Sequence, residues 1–106
     1  MKIQIGIALV AITTATAVSI ALAQGAGADT YKANCASCHA ADGTANSPAG
    51  KMMKITSFKS PDVIKKSNAE LTTSIVNGKG VMKGYTGKLT DAQIKDVVTY
   101  IRTLQK

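Results

Sequence analysis

Five consecutive residues, Cys35-Ala36-Ser37-Cys38-His39, restrict this chain more than any other stretch, and they hold both of its cysteines and its one histidine. On a helix Cys35, Cys38 and His39 stand at i, i+3 and i+4, so two thiols and an imidazole share one face. C-x-x-C-H is the attachment pattern of a c-type haem. The thiols add to the two porphyrin vinyl groups while the imidazole meets the iron. Two other readings are weaker. A C-x-x-C redox pair normally opens a helix after a strand, and no convincing strand is legible here. A zinc site takes about four ligands, and no further Cys or His exists to supply them. The expected cofactor is one covalent haem c, on thioethers from Cys35 and Cys38, with His39 as the proximal iron ligand.

A haem also answers a problem of size. Lys2 is followed by Ile3 to Ala23 without a charged residue, and the run closes on Ala21-Leu22-Ala23. A short positive start, an apolar run and an A-x-A ending are the layout of a secretory signal peptide. Residues 1–23 are read as that leader and 24–106 as the domain. The competing reading is an uncleaved anchor, because the run approaches the roughly 20 residues that span a bilayer. A domain this small buries little of its surface and usually needs a staple. A Cys35–Cys38 disulfide would close only a tiny loop, whereas a buried haem supplies apolar volume. Export suits the motif, since c-type haem is attached outside the cytoplasm in bacteria. The expected location is the periplasm or an equivalent extracytoplasmic compartment.

The formal net charge is +7, and without Lys2 there remain 12 basic residues against 6 acidic ones. Nucleic-acid binding fits such a balance poorly here: Arg102 is the only Arg, and the lysines are spread along the chain. An acidic redox protein is the expected partner, with no membrane contact after leader removal and a monomeric state. Lys51, Lys54 and Lys59 lie in residues 43–61, and Lys79, Lys83 and Lys88 in residues 71–90, with no acid in either segment. They are read as a positive rim around the haem edge, against the plainer reading of a solvated surface.

In order, Gln24 to Ala28 is small and flexible, and residues of about 27 to 38 read as a first helix with Asp29 as N-cap. Gly27, Tyr31 and Cys35 form one stripe, in which the glycine lets another helix come close. Residues 40–60 read as a long loop, with turn signals at Asp42-Gly43 and Asn46-Ser47-Pro48. Such a length is tolerable only if the loop wraps a cofactor, with Met52, Met53, Ile55 and Phe58 available to pack on it. Ser60-Pro61 opens a short helix to about Lys66. Ser67-x-x-Glu70 is a capping box for a helix to about Asn77, with Leu71, Ile75 and Val76 inward and Gly78 as its stop. Gly78 to Lys88 is a Gly-rich loop. Thr90-x-x-Gln93 caps the last helix, which runs to about Leu104 with Ile94, Val97, Val98, Ile101 and Leu104 on one stripe.

His39 would bind iron through Nε2, leaving Nδ1–H in need of an acceptor. Pro48, nine residues on, could supply its carbonyl, against the reading of a plain loop proline. For the sixth position a second histidine is ruled out by count, which leaves Met52, Met53, Met82, lysines or an open site. Met52 and Met53 lie close after His39 and read as core filling. Met82, in the Gly-rich loop, can reach the opposite face. A thioether opposite His raises the haem potential for electron transfer.

These features together resemble the small class I cytochromes c, over essentially all of residues 25–106. The resemblance rests on Cys35-Ala36-Ser37-Cys38-His39, Gly27 and Tyr31 ahead of it, Pro48 after it, Gly78-Lys79-Gly80-Val81-Met82, and Tyr100-Ile101-Arg102 in the last helix. It implies an all-α fold of about four to five short helices around one haem. It implies His39 and Met82 as axial ligands, Pro48 as the acceptor for His39, and Gly27 and Tyr31 packed on Val97 and Tyr100. One departure is Lys83, where many relatives carry Pro; it leaves the distal loop less rigid and sets an amine beside the iron.

The function expected is one-electron transport rather than catalysis. No Ser/His/Asp or paired-carboxylate constellation is present. The alternatives are a haem protein with an open or labile sixth position, binding small ligands or acting on peroxide, and an accessory cytochrome subunit of a membrane oxidoreductase.

Overall fold

The helical periods become six helices in a computed structural model that describes residues 1–3, 6, 8 and 15–106, with the backbone alone for 15–24. They are α1 (Ala15–Asn34), α2 (Ala36–His39), α3 (Pro48–Met52), α4 (Pro61–Ile64), α5 (Asn68–Asn77) and α6 (Asp91–Leu104). Among the described residues there is no strand, only an isolated antiparallel bridge between Lys79 and Met82. This is the all-α architecture expected, with six helices where about four to five were expected. Much of the leader reading falls outside the described residues. Among those described, no helix is long and apolar enough to cross a membrane.

Three local signals act as anticipated. Ser67 Oγ accepts from the Glu70 amide while Glu70 Oε1 accepts from the Ser67 amide, closing the capping box of α5. Thr90 and Gln93 do the same for α6. Ser60 Oγ caps α4 through the Val63 amide, and Pro61 takes the first helical position, where its missing N–H costs nothing.

Two expectations need correction. The first helix does not begin near residue 27 on an Asp29 cap. It runs from Ala15: no proline interrupts 15–34, Gly25 and Gly27 are carried inside the helix, and Asp29 lies within it. Residues 40–60 are not wholly loop. Ser47 Oγ accepts from the Gly50 amide at 3.0 Å and Pro48 occupies the first turn, so α3 forms inside that stretch.

The core lies where α1, α5 and α6 meet. Ile94, Val97, Val98 and Ile101 are buried along one face of α6, against Tyr31 of α1 and Leu71 and Ile75 of α5. Val97 and Tyr31 have essentially no exposure, at 0% and 1%. The α1/α6 crossing is backbone on backbone. A Cβ at Gly27 would collide with the Asp96 carbonyl and come within 3.1 Å of Tyr100 Cβ. The Tyr31 and Tyr100 rings pack beside this point, with centroids 5.2 Å apart. At the far end of α6, Arg102 Nε donates to Asn68 Oδ1 at 2.8 Å and Nη2 donates to the Lys66 carbonyl. That clamp ties the last helix to the segment that starts α5.

Candidate functional site

The Cys35–His39 motif straddles a joint between helices. Cys35 has φ −119° and ψ −34°, which ends α1 and lets α2 restart. A single helix to residue 38 was expected, but the hydrogen-bond path is continuous. Cys35 N–H donates to the Tyr31 carbonyl at 2.7 Å, and the Cys35 carbonyl accepts from Cys38 and His39 N–H at 3.2 and 2.9 Å. Cys35, Cys38 and His39 therefore keep the i, i+3, i+4 relation that puts them on one side.

Both cysteines are free thiols and half-buried. Burial, with the Cys38 thiol as the lesser cause, pushes the Cys35 thiol up to about 11, so it stays protonated at neutral pH. Burial also lowers the His39 pKa, which favours the neutral imidazole, the form that binds a metal. Behind His39 the chain turns sharply at Ala40, whose φ of 64° and ψ of 161° lie in a region almost confined to glycine. That turn is held from α1, where Tyr31 Oη donates to the Ala40 carbonyl at 2.6 Å.

His39 Nδ1 is buried and has no hydrogen-bond partner. The Pro48 carbonyl expected as its acceptor makes no hydrogen bond with it. Pro48 is exposed and opens α3. Ser47, next to it, is the residue that joins α3 to the motif: its Oγ donates to the Cys38 carbonyl at 2.8 Å. The imidazole instead lies flat on Phe58, with ring centroids 4.5 Å apart and planes 18° from parallel.

Met82 is half-buried and packs against the core cluster. It closes a tight turn in which Lys79 and Met82 exchange N–H···O bonds of 3.0 and 3.1 Å. Gly78 makes the turn's return feasible, with φ 80° and a missing Cβ that would sit 2.7 Å from Gly84 N. The loop is then pinned at Tyr85, whose amide donates to the Ile75 carbonyl and whose Oη donates to the Asn34 carbonyl at 2.9 Å. Burial raises the Tyr85 phenol pKa, and the nearby Cys35 and Cys38 add to the rise. The Met82 loop is thus anchored beside the two thiols.

Met52 and Met53 are not core filling. They are 83% and 42% exposed, because the single turn of α3 buries its Gly50 side and turns them outward. Lys51, Lys54, Lys59, Lys79, Lys83 and Lys88 are all exposed. Among the described residues, no three His, Cys, Asp or Glu are placed to share a metal ion, which leaves zinc without a ligand set.

The residues present suit a covalent haem. Two unpaired thiols can add to vinyl groups, and an imidazole that burial keeps neutral stands one residue beyond the second thiol. The contacts of Ser47, Tyr85 and the Phe58 face were not legible in the sequence. Only Ser47-Pro48 carried a signal, the same Ser-Pro start that was read correctly at Ser60-Pro61.

Comparison with known proteins agrees with this geometry. Residues 23–101 match a family model described as cytochrome c oxidase, cbb3-type, subunit III. A cytochrome c6 of Picosynechococcus sp. is 36% identical over 81 residues, covering 72% of this chain and 68% of that protein. A cytochrome c6 of Leptolyngbya boryana is 35% identical over 77 residues, 72% of this chain and 86% of that one. The cytochrome c6 of Bryopsis maxima is 36% identical over 77 residues, 71% of this chain and 84% of the relative.

Proposed function

This chain belongs to the small monohaem class I cytochromes c, an electron carrier on covalent haem c and not an enzyme, and from that premise we propose that it is an exported one-electron shuttle with His39 and Met82 on its iron. The haem, attached through Cys35 and Cys38, supplies a one-electron couple in which each electron accepted from a donor is passed to an acceptor. The chain's own residues hold the group, exclude water and leave one edge near the surface. The observation that carries the reading is the placement of two free thiols and a neutral imidazole on adjoining helical turns. Met82 is favoured as the sixth ligand by its pinned turn, whose Tyr85 anchor reaches the Asn34 carbonyl next to Cys35. Pro48 opens α3, which Ser47 ties to the motif through the Cys38 carbonyl.

Residues 1–23 would direct the chain to the periplasm or an equivalent compartment and be removed there. The exposed lysines around Met52, Val81 and Met82 would steer an acidic redox partner to the haem edge, so the exchange rate should fall as salt rises. A rate flat in ionic strength would remove that partner.

The ligation test is optical. Ferric protein should show the weak red charge-transfer band of Met–iron ligation, and Met82→Ala should lose it and lower the potential. No band in the wild type, with rapid carbon monoxide binding by the ferrous form, would favour the open-site alternative. A second reading, an oxidoreductase subunit, has one observation in its favour: the description of the matching family model. Co-purification with a membrane complex from the native host would support it, and recovery as a free protein would not.

A further inference from the structure

We propose that Tyr85 is the positioning residue that keeps Met82 on the haem iron, by latching the distal loop to the end of α1; the inference rests on Met82 as the sixth ligand. Met82 lies three residues before Tyr85 in the Gly-rich stretch of residues 78–88. Most hydrogen bonds of that stretch stay on one side of the molecule. Lys79 and Met82 bond each other, and the Lys88 and Leu89 amides fold back onto the Tyr85 carbonyl. The Gly78, Tyr85 and Thr86 amides donate to the Ser74, Ile75 and Val76 carbonyls of α5. Thr86 Oγ1 also donates to the Val76 carbonyl, at 2.8 Å. Among the described residues, only the Tyr85 phenol bonds from this stretch to the part of the chain that carries the attachment motif. Its Oη donates to the Asn34 carbonyl at 2.9 Å, across 51 residues of sequence.

The acceptor is made by the joint inside the motif. α1 ends at Asn34, and a helix end leaves its last carbonyls without helical donors. The Cys38 N–H, which an unbroken helix would send to Asn34, goes to the Cys35 carbonyl at 3.2 Å instead. The phenol takes its place. The Tyr85 ring packs against the core cluster, and burial raises its pKa, so the hydroxyl stays a donor at neutral pH. Neither the phenol nor the Asn34 carbonyl is a group that bonds a haem, so latch and ligand are separate groups. The backbone between them is soft. Lys83-Gly84 carries no proline ring to fix φ. A glycine is required at 84, where a Cβ would lie 2.7 Å from the Val76 carbonyl oxygen, and it adds freedom of its own. Without the latch, hydrogen bonds would tie the Met82 turn to α5 alone, and the distance from Met82 to the motif would be free to vary.

In the ferrous holoprotein carbon monoxide binds only while Met82 is off the iron, so its binding rate at low concentration reads the open fraction. The experiment measures that rate, the red band of the ferric form and unfolding by helical circular dichroism in wild type, Tyr85→Phe and Thr86→Val. Tyr85→Phe keeps the ring that packs on the core and removes only the latch. One hydrogen bond shifts an equilibrium by about fivefold, so carbon monoxide should bind Tyr85→Phe about fivefold faster, and on heating its red band should fade further ahead of the helical signal than in wild type. Thr86→Val removes a bond from the same loop to α5 and should keep the wild-type rate. A wild-type rate in Tyr85→Phe, whatever its melting temperature, would overturn the proposal and leave Tyr85 as packing only. An equal rise in both variants would overturn it too, since any lost bond in the loop would then do the same. A wild-type ferric protein without the red band, whose ferrous form binds carbon monoxide rapidly, would remove the Met82 reading and this inference with it, an outcome distinct from the others because it shows before any substitution is made.

Discussion

Gly27→Ala sets two effects of opposite sign against each other at the α1/α6 crossing. In a helix interior, alanine is favoured over glycine by up to about 1 kcal/mol. At Gly27 the added Cβ meets backbone: the Asp96 carbonyl oxygen, and its carbon at 2.8 Å. Carbon pairs are at ease near 3.5–4.0 Å and the oxygen lies nearer than the carbon, so α1 has to lift off α6 by at least roughly 0.7 Å. A gap of that size forfeits about a quarter to a half of the dispersion energy across the contact, and the contact includes Tyr31, Val97 and Tyr100. Overpacking of a close-packed core costs about 1–3 kcal/mol, and the upper part of that range applies where the obstacle is a peptide unit. The net expectation is a loss of about 1–2 kcal/mol, or a melting temperature lower by roughly 4–16 °C. Gly25→Ala is the control. Its Cβ meets nothing within 4 Å in the same helix, so it should be neutral or stabilising by less than about 1 kcal/mol. Denaturant unfolding of the holoprotein, followed by helical circular dichroism, measures both. A Gly27→Ala protein as stable as Gly25→Ala would refute the close-approach argument.

Three further outcomes are expected. Tyr31→Phe removes the buried bond to the Ala40 carbonyl and should cost about 1 kcal/mol in denaturant unfolding; an unchanged midpoint would mean that water replaces the phenol. Ala40→Gly should stabilise by about 1 kcal/mol, since relief of a glycine-type conformation outweighs the greater freedom of an unfolded glycine; thermal melts that fall on this change would contradict it. Glu70 is held below its ordinary pKa by hydrogen bonds with Ser67. A depressed carboxylate adds stability above its unfolded value and loses it as the pH falls through the folded one. Wild type should therefore lose more stability on acidification than Glu70→Gln, and parallel pH profiles would show that the charge contributes nothing.

The parts legible in the sequence were those written in neighbouring residues. The Ser67 and Thr90 boxes each specify bonds within four residues, so their α5 and α6 starts were read directly. The Ile94-Val97-Val98-Ile101 stripe needs only the helical period to name a buried face. The loop expected over residues 40–60 failed at Ser47-Pro48, where the same local rule went unapplied and α3 forms. The helix start failed for the opposite reason: Asp29 has a cap's chemistry, but nothing before it stops the helix.

The order Cys-x-x-Cys-His by itself determined the chemistry, because which atoms can bond a porphyrin and its iron depends on residue type and on spacing along one helix. What surrounds those atoms was decided only by tertiary structure. No hydrogen bond links the nearby Pro48 to His39, while Phe58 lies flat against His39, its N–H donating to the Gly43 carbonyl and its carbonyl accepting from Gln105 Nε2. Such contacts depend on where distant helices end and how closely they cross, and no local pattern records the distance between two helix axes.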